Sequence, residues 1–333
     1  MTATLIEAFV AAVPARPVPL FVGVSADCGP FPDLAHHITV GEQFECLEAE
    51  VEIIEQAPRQ PVASKGIPKI MDDRISVSLE GGVADVRLNR PDKMNALDVA
   101  MFHAIDAALR DLAVRRDLRC VVLSGTGRAF CAGIDLAALA GAPELMDLGP
   151  RSHGDANLFQ NIAWGWRELP VPVIAAVHGV AFGGGFQMML GADIRIAAPS
   201  TELSMMEVRW GLVPDVAAMV LLRTLVRDDV ARDIVFTGRR FSGTEAAELG
   251  LVTRLADDPL AAALELARGI AASSPDAIRS AKRLLNLPAG ASARDILIAE
   301  SVEQAAMLAS ANHREALAAA AAKRAPVYRD IAG

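Results

Sequence analysis

Three glycines stand in a row at Gly183–Gly185, inside GVAFGGGFQMMLGADIRIAA (179–198) and directly ahead of the apolar run FQMML. Each glycine costs roughly 0.5–1 kcal/mol against alanine in a helix or strand, so the run needs a reason. A buried strand and loop before it and a helical segment after it place the glycines at a helix N-terminus. Such a terminus carries unpaired backbone N–H groups and about half a unit of positive charge. With no Cβ in the way, an anion or a developing oxyanion can reach those donors. The run alone equally allows close packing of backbone on backbone. A second such start follows the strand at 119–125: in RAFCAGIDLAAL (128–139), Ala132 and Gly133 precede a helical turn. Two small-residue starts, each after a strand, can offer two N–H groups to one carbonyl oxygen. No phosphate loop is present, because no Gly-Lys-Ser/Thr follows and GxGxxG cannot be drawn with a plausible acidic partner.

The elements that must hold these segments alternate between strand and helix. RISVSLE and VADVRLN, split by Gly81-Gly82, read as a hairpin. A helix over 98–114 follows, then buried strands in RCVVLSG (119–125), PVPVIAAVHG (170–179) and DIRIAA (193–198). SGTEAAELG (242–250) reads as a complete short helix, with Ser242 and Glu245 as a capping box and Gly250 as its stop. SSPDAIRSAKRLL opens a helix with Ser274 as N-cap and Pro275 at the first position, and the last sixty residues are helical and Ala-rich. This alternation predicts an α/β core, and no repeat of fixed period is present.

The first seventy residues have a different texture. They hold nine acidic and four basic residues, a period-2 strand pattern in LEAEVEI (47–53), and a Pro-rich linker in QAPRQPVASKGIPK (56–69). The expected organisation is an N-terminal extension and linker over 1–70, an α/β core over 71–265 and a helical region over 266–333. The 333 residues are 52 % apolar, enough for a large core, and the net charge of −9 disfavours nucleic acid or an anionic membrane as partner. No apolar run approaches the roughly 18–20 residues of a membrane span. The apolar start lacks a basic n-region and is interrupted by Glu7, Pro14, Arg16, Pro17 and Pro19, unlike a signal peptide. Cys28, Cys46, Cys120 and Cys131 are scattered, as thiols of a reducing compartment are. A soluble cytoplasmic protein is expected.

Five blocks then carry a family resemblance: NRPDKMNALD (89–98), RAFCAGIDL (128–136), HGVAFGGGFQMMLGADIRIA (178–197), MEVRWGLVPD (206–215) and HREALAAAAAKRAPVY (313–328). In order and spacing they resemble the crotonase, or enoyl-CoA hydratase/isomerase, superfamily over about residues 72–330. The resemblance implies a spiral of ββα units with a helical C-terminal region, assembled as a homotrimer or a dimer of trimers. It implies an acyl-CoA thioester as substrate, with no further cofactor and no metal. The thioester carbonyl would sit between the backbone N–H groups of Ile134 and Gly184, which would carry the enolate charge once an α-proton leaves. CoA and substrate contacts would fall on Met94, Ala96, Ala132, Asp135, Leu136 and Lys323, with Arg324 beside the last.

The acids around the hole decide the reaction. Hydratases of this superfamily carry two glutamates; here the first falls at Gln187 and the second at Glu207. An amide can orient a group but exchanges no proton near neutral pH. Asp215 stands where dienoyl-CoA isomerases also carry an acid. The expected reaction is an enoyl-CoA isomerase-type double-bond shift, with Glu207 as acid and base. The alternatives are a 2-enoyl-CoA hydratase using Glu207 and a water held by Gln187, and a non-catalytic acyl-CoA binder. Blander readings make Glu207 a surface partner of Arg209 and Asp215 an N-cap for VAAMVLLRTL. His36-His37 and His178 read as surface or packed residues rather than ligands, and Cys131 as a small core residue.

Overall fold

The computed structural model describes residues 74–139 and 147–331. The expected strand at 47–53, the linker at 56–69, His36-His37, Cys28 and Cys46 lie outside the described residues. The described chain runs β1 Ile75–Glu80, β2 Val83–Leu88, α1 Val99–Val114, β3 Cys120–Gly125, α2 Leu136–Leu139, α3 Leu158–Glu168, β4 Val173–Val177, β5 Val180–Phe182, α4 Gly184–Leu190, β6 Ile194–Ala197 and β7 Glu202–Ser204. It continues with α5 Ala218–Leu222, α6 Asp228–Thr237, β8 Phe241–Ser242, α7 Gly243–Glu248, β9 Arg254–Leu255, α8 Pro259–Ala271, α9 Pro275–Leu285, α10 Ala293–Ala309 and α11 Ala311–Ala321.

The main sheet has the order β1-β2-β3-β4-β6-β9, antiparallel between β1 and β2 and parallel thereafter. Parallel strands are covered on both faces and therefore read as unbroken apolar runs. In β3, Val121 and Leu123 enter the larger core with α1 and α3, while Cys120 and Val122 face α8 on the other side. Burying each such aliphatic side chain contributes about 1.5–3 kcal/mol. On α8, Ala263, Ala267 and Ala271 recur every fourth residue, so small side chains let the helix lie close on the sheet. A second sheet of β5, β7 and β8 stands beside the glycine run and sets its direction.

Local signals explain most helix starts. Asp98 accepts a bond from Met101 N at 2.9 Å at the head of α1, and Met101, Phe102, Ile105, Leu109 and Leu112 bury one face. Asn157 and Gln160 form a reciprocal capping box for α3. Ser242 caps α7, but the Glu245 carboxylate turns to Arg239 at 2.6 Å, so the expected capping box is only half made. Gly250 follows the C-cap Leu249 in a left-handed conformation, φ 86°. Pro275 starts α9 as expected, although Ser274 makes no side-chain cap bond.

Lys282 of α9 is buried and donates to Val171 O at 2.8 Å, Trp166 O at 3.3 Å and Asp193 Oδ2 at 2.7 Å. This ammonium fastens α9 to the segment between α3 and β4 and to the turn before β6. Among the described residues no helix is long and apolar enough to cross a membrane.

Candidate active site

Two loops and one short helix converge on a cavity of about 140 Å³ lined by Ala132, Gly133, Ile134, Leu136, Gly183, Gly184, Met206, Glu207, Trp210 and Leu212. Ile134 is held by a two-residue parallel bridge to Leu97, with Leu97 N on Gly133 O at 2.8 Å and Asp135 N on Leu97 O at 2.9 Å. Gly183, at φ 50°, donates its N–H to Ser204 O and accepts from Gln187 N. Among the described residues the N–H groups of Ile134 and Gly184, which line the cavity, make no bond to the backbone.

The three consecutive glycines have different reasons. A Cβ on Gly183 would stand 3.3 Å from Glu207 Oε1, in the reach of the carboxylate. On Gly184 it would stand 3.2 Å from Leu97 Cδ1 and 3.3 Å from Ile134 Cγ1, tight but adjustable. On Gly185 it would meet Cys131 O at 2.5 Å and Cys131 Cβ at 2.7 Å, so this position answers to backbone packing. The close-packing reading of the run thus holds at Gly185.

Glu207 opens a 3-10 helix, Glu207–Trp210, and is buried, while Arg209 two residues on is exposed and makes no pair with it. The surface-pair reading is therefore corrected: residues two apart on this helix point to different sides. Gln187, fully buried on α4, donates its amide N–H to Glu207 Oε1 and accepts from Val216 N at 2.8 Å. Glu207 Oε2 is buried without a hydrogen-bond partner among the described residues. Burial pushes the Glu207 carboxyl above its ordinary range; its own backbone and Gln187 pull it back, and nearby Asp215 adds to the rise.

Several expected contacts fall elsewhere. Gln187 is not among the lining residues; its amide donates to Glu207 Oε1 and accepts from Val216 N. Asp215 is half-buried and not among the lining residues, its carboxyl also raised by burial. It does not cap a helix: α5 starts at Ala218, and its N-cap is Ala217 at φ 60°, with no side-chain bond. The bond from Val216 N to Gln187 draws that segment away from capping geometry. Asp135 does not line the cavity, because its carboxylate takes Arg90 Nη1 at 2.8 Å and Ala138 N at 3.2 Å. Met94 and Ala96 flank buried Asn95, with Met94 O on Ala132 N at 2.9 Å, which places them next to the lining loop without lining it. Lys323 is exposed beyond the end of α11 at φ 51° and is not a lining residue; Arg324 pairs with Glu315 at 2.6 Å. His178 rests on Gly127 O at 2.9 Å. Cys131 is fully buried, its thiol pushed up to about 12.

Trp210, Leu212 and Met206 were not singled out in the sequence, although each lies within five residues of Glu207 in MEVRWGL. Trp210 is 54 % exposed yet forms part of the wall. Apolar residues next to a candidate carboxylate are the signal that would have found them.

Known proteins share this arrangement of chain. Carnitinyl-CoA dehydratase of Salmonella typhi is 33% identical over 267 residues, which are 78% of this chain and 99% of that protein. The peroxisomal Delta(3,5)-Delta(2,4)-dienoyl-CoA isomerase of Arabidopsis thaliana is 31% identical over 267 residues, 77% of this chain and 96% of its own. The crystal structure of an enoyl-CoA hydratase from Bacillus anthracis superposes with a TM-score of 0.68 at 31% identity, covering 77% of this chain and 98% of that one. The family description for enoyl-CoA hydratase/isomerase matches residues 78–331. With more than half of its length matched, and with the α/β architecture of the solved relative, the chain belongs to the enoyl-CoA hydratase/isomerase, or crotonase, family.

Proposed function

We propose that the protein shifts a double bond in an enoyl-CoA thioester, with Glu207 moving one proton between two carbons. The observation that carries this reading is the state of the Glu207 carboxylate, whose residue lines the cavity: Oε1 is engaged by the neutral amide of Gln187, and Oε2 is buried without a hydrogen-bond partner among the described residues. From a 3-enoyl thioester, Oε2 takes a proton from C2. The charge passes to the thioester oxygen, where the N–H groups of Ile134 and Gly184 receive it; one such donor is worth about 2.7–4 kcal/mol in the transition state. The protonated carboxyl then returns the proton at C4, and the double bond ends between C2 and C3. A carboxyl raised by burial suits both halves of that transfer.

Water addition needs a second group to hold or activate the water, and Gln187 is fully buried, is not among the residues lining the cavity, and is bonded to Glu207 and Val216. The test is a panel of 2-enoyl, 3-enoyl and 2,5-dienoyl thioesters, followed for both water addition and double-bond movement with the unaltered protein and with Glu207→Gln. Double-bond movement that depends on Glu207 is expected. Hydration as the main Glu207-dependent product would replace the isomerase reading, and no turnover of any member would leave an acyl-CoA binder.

A further inference from the structure

We infer that Arg90 is a positioning residue of the oxyanion hole: its guanidinium sets the register between the two loops that aim the Ile134 N–H. The inference rests on the proposal above that this N–H receives the thioester oxygen. Arg90 Nη1 donates to Ala96 O at 3.1 Å and to Asp135 Oδ2 at 2.8 Å, and Nε lies 3.4 Å from Asp98 Oδ2. Two of these partners flank Leu97 and the third adjoins Ile134. One cation therefore grips both sides of the Leu97–Ile134 bridge. In a planar trans peptide the C=O and N–H point opposite ways. Seating Gly133 O on Leu97 N thus turns the Ile134 N–H away from the Leu97 backbone, and any slip of the bridge re-aims it.

The backbone of Arg90 is held as firmly as its side chain. Arg90 N donates to Asn95 Oδ1 at 2.8 Å, and Asn95 N returns a bond to Arg90 O at 2.9 Å. Buried Asn95 in turn donates to Ala129 O at 2.8 Å and Phe130 O at 3.2 Å, on the strand-to-loop segment that leads to Ile134. The Arg90 side chain is only 14 % exposed, between the carboxylates of Asp98 and Asp135. The guanidinium reaches these acceptors from two nitrogens held in one rigid plane, Nη1 and Nε, a geometry that a single ammonium nitrogen does not reproduce.

The experiment compares the unaltered protein with Arg90→Met and Arg90→Lys, using kcat and KM on a 3-enoyl-CoA. It also records the carbonyl stretch of a saturated acyl-CoA carrying carbon-13 at the thioester carbon, free and bound. In the unaltered protein the bound carbonyl should move to lower frequency. In Arg90→Met that displacement should shrink and kcat fall on the order of 10²-fold, the scale of a misplacement of about 1 Å, with KM changed far less. Arg90→Lys should lie between the two on both readouts. Thermal melting checks that each variant is folded, and if Arg90→Met does not fold, Arg90→Lys decides. A folded variant with lowered melting temperature but unaltered kcat and carbonyl displacement overturns the inference. A carbonyl that does not shift even in the unaltered protein overturns the oxyanion reading itself, a result separate from any effect of Arg90.

Discussion

The amide of Gln187 and the carboxylate of Glu207 are bonded to each other in the interior, and the bond occupies one carboxylate oxygen while the other is buried without a hydrogen-bond partner among the described residues. Val216 N fixes the far end of the amide, so Gln187 cannot turn over without breaking a second bond. The pair therefore sets both the direction of the carboxylate and its surroundings.

Glu207→Gln should abolish turnover while making the protein more stable at alkaline pH. Burial raises the folded-state pKa of Glu207 above its unfolded value. The folded form then binds the proton more tightly, which favours folding at low pH and is lost as pH rises through the raised pKa. The amide has no charge to bury. Melting temperatures of the two proteins should diverge from mildly acidic to alkaline pH, with the variant higher, and converge in acid. A shift of about 2–4 °C corresponds to each kcal/mol for a domain of this order of size. A variant that melts below the unaltered protein at every pH would contradict this.

Gln187→Glu should add a second titrating carboxyl against the first. The two would share protons with split apparent pKa values, and side-chain volume barely changes. Hydration of a 2-enoyl-CoA should appear or rise, and isomerisation should fall or shift its pH optimum. Product analysis on the same thioesters is the measurement; an unaltered protein that already hydrates at a rate the new carboxyl does not improve would count against the isomerase reading.

Neighbouring glycines should fail in different ways. Gly184→Val should remove turnover with a moderate loss of stability, because Leu97 and Ile134 have to give by a few tenths of an ångström while the branched side chain fills the hole. Gly185→Ala should instead destabilise the fold, since its methyl group would collide with Cys131 backbone and side chain. Denaturant melts and kcat measured on both variants separate the two; equal effects on stability would show that the distinction is false.

Cys120 and Cys131 should resist alkylation in the folded protein. Both thiols are buried and pushed up to about 12, so little thiolate exists near neutral pH. Mass mapping after treatment with iodoacetamide should find both labelled only once denaturant is added. Rapid labelling of Cys131 under native conditions would mean that the loop behind Gly185 opens.

The residues that could be read in the chain are those whose reason is local. Ser242 and Pro275 announce helix starts from their own types, and the doubly covered strands show as apolar runs. The five blocks brought Glu207, Ile134 and Gly184 to attention, and the fold sets all three around one cavity. What stayed hidden depends on partners distant in sequence. Asp135 reads as a substrate contact from its block, while the residue that holds its carboxylate, Arg90, lies 45 positions away in sequence. Asp215 reads both as an acid beside the hole and as a helix cap; the cap reading fails because the helix starts only at Ala218, after Val216 N has bonded to Gln187, 29 positions away in sequence. Gly185 resembles Gly184 in every local respect; only Cys131, packed against it, tells them apart.

Lys282 bears on how this chain can be cut and recombined. Parting residue 282 from residue 193 would take from Val171 O, Trp166 O and Asp193 Oδ2 the donor they share, and would leave Asp193 with Val173 N alone of these bonds. The C-terminal helices are therefore not a detachable cassette, although their sequence reads as a separate Ala-rich block. A chimera that borrows them from a relative has to import the matching acidic turn as well. A split-protein design would do better to break the chain in a surface turn far from this junction.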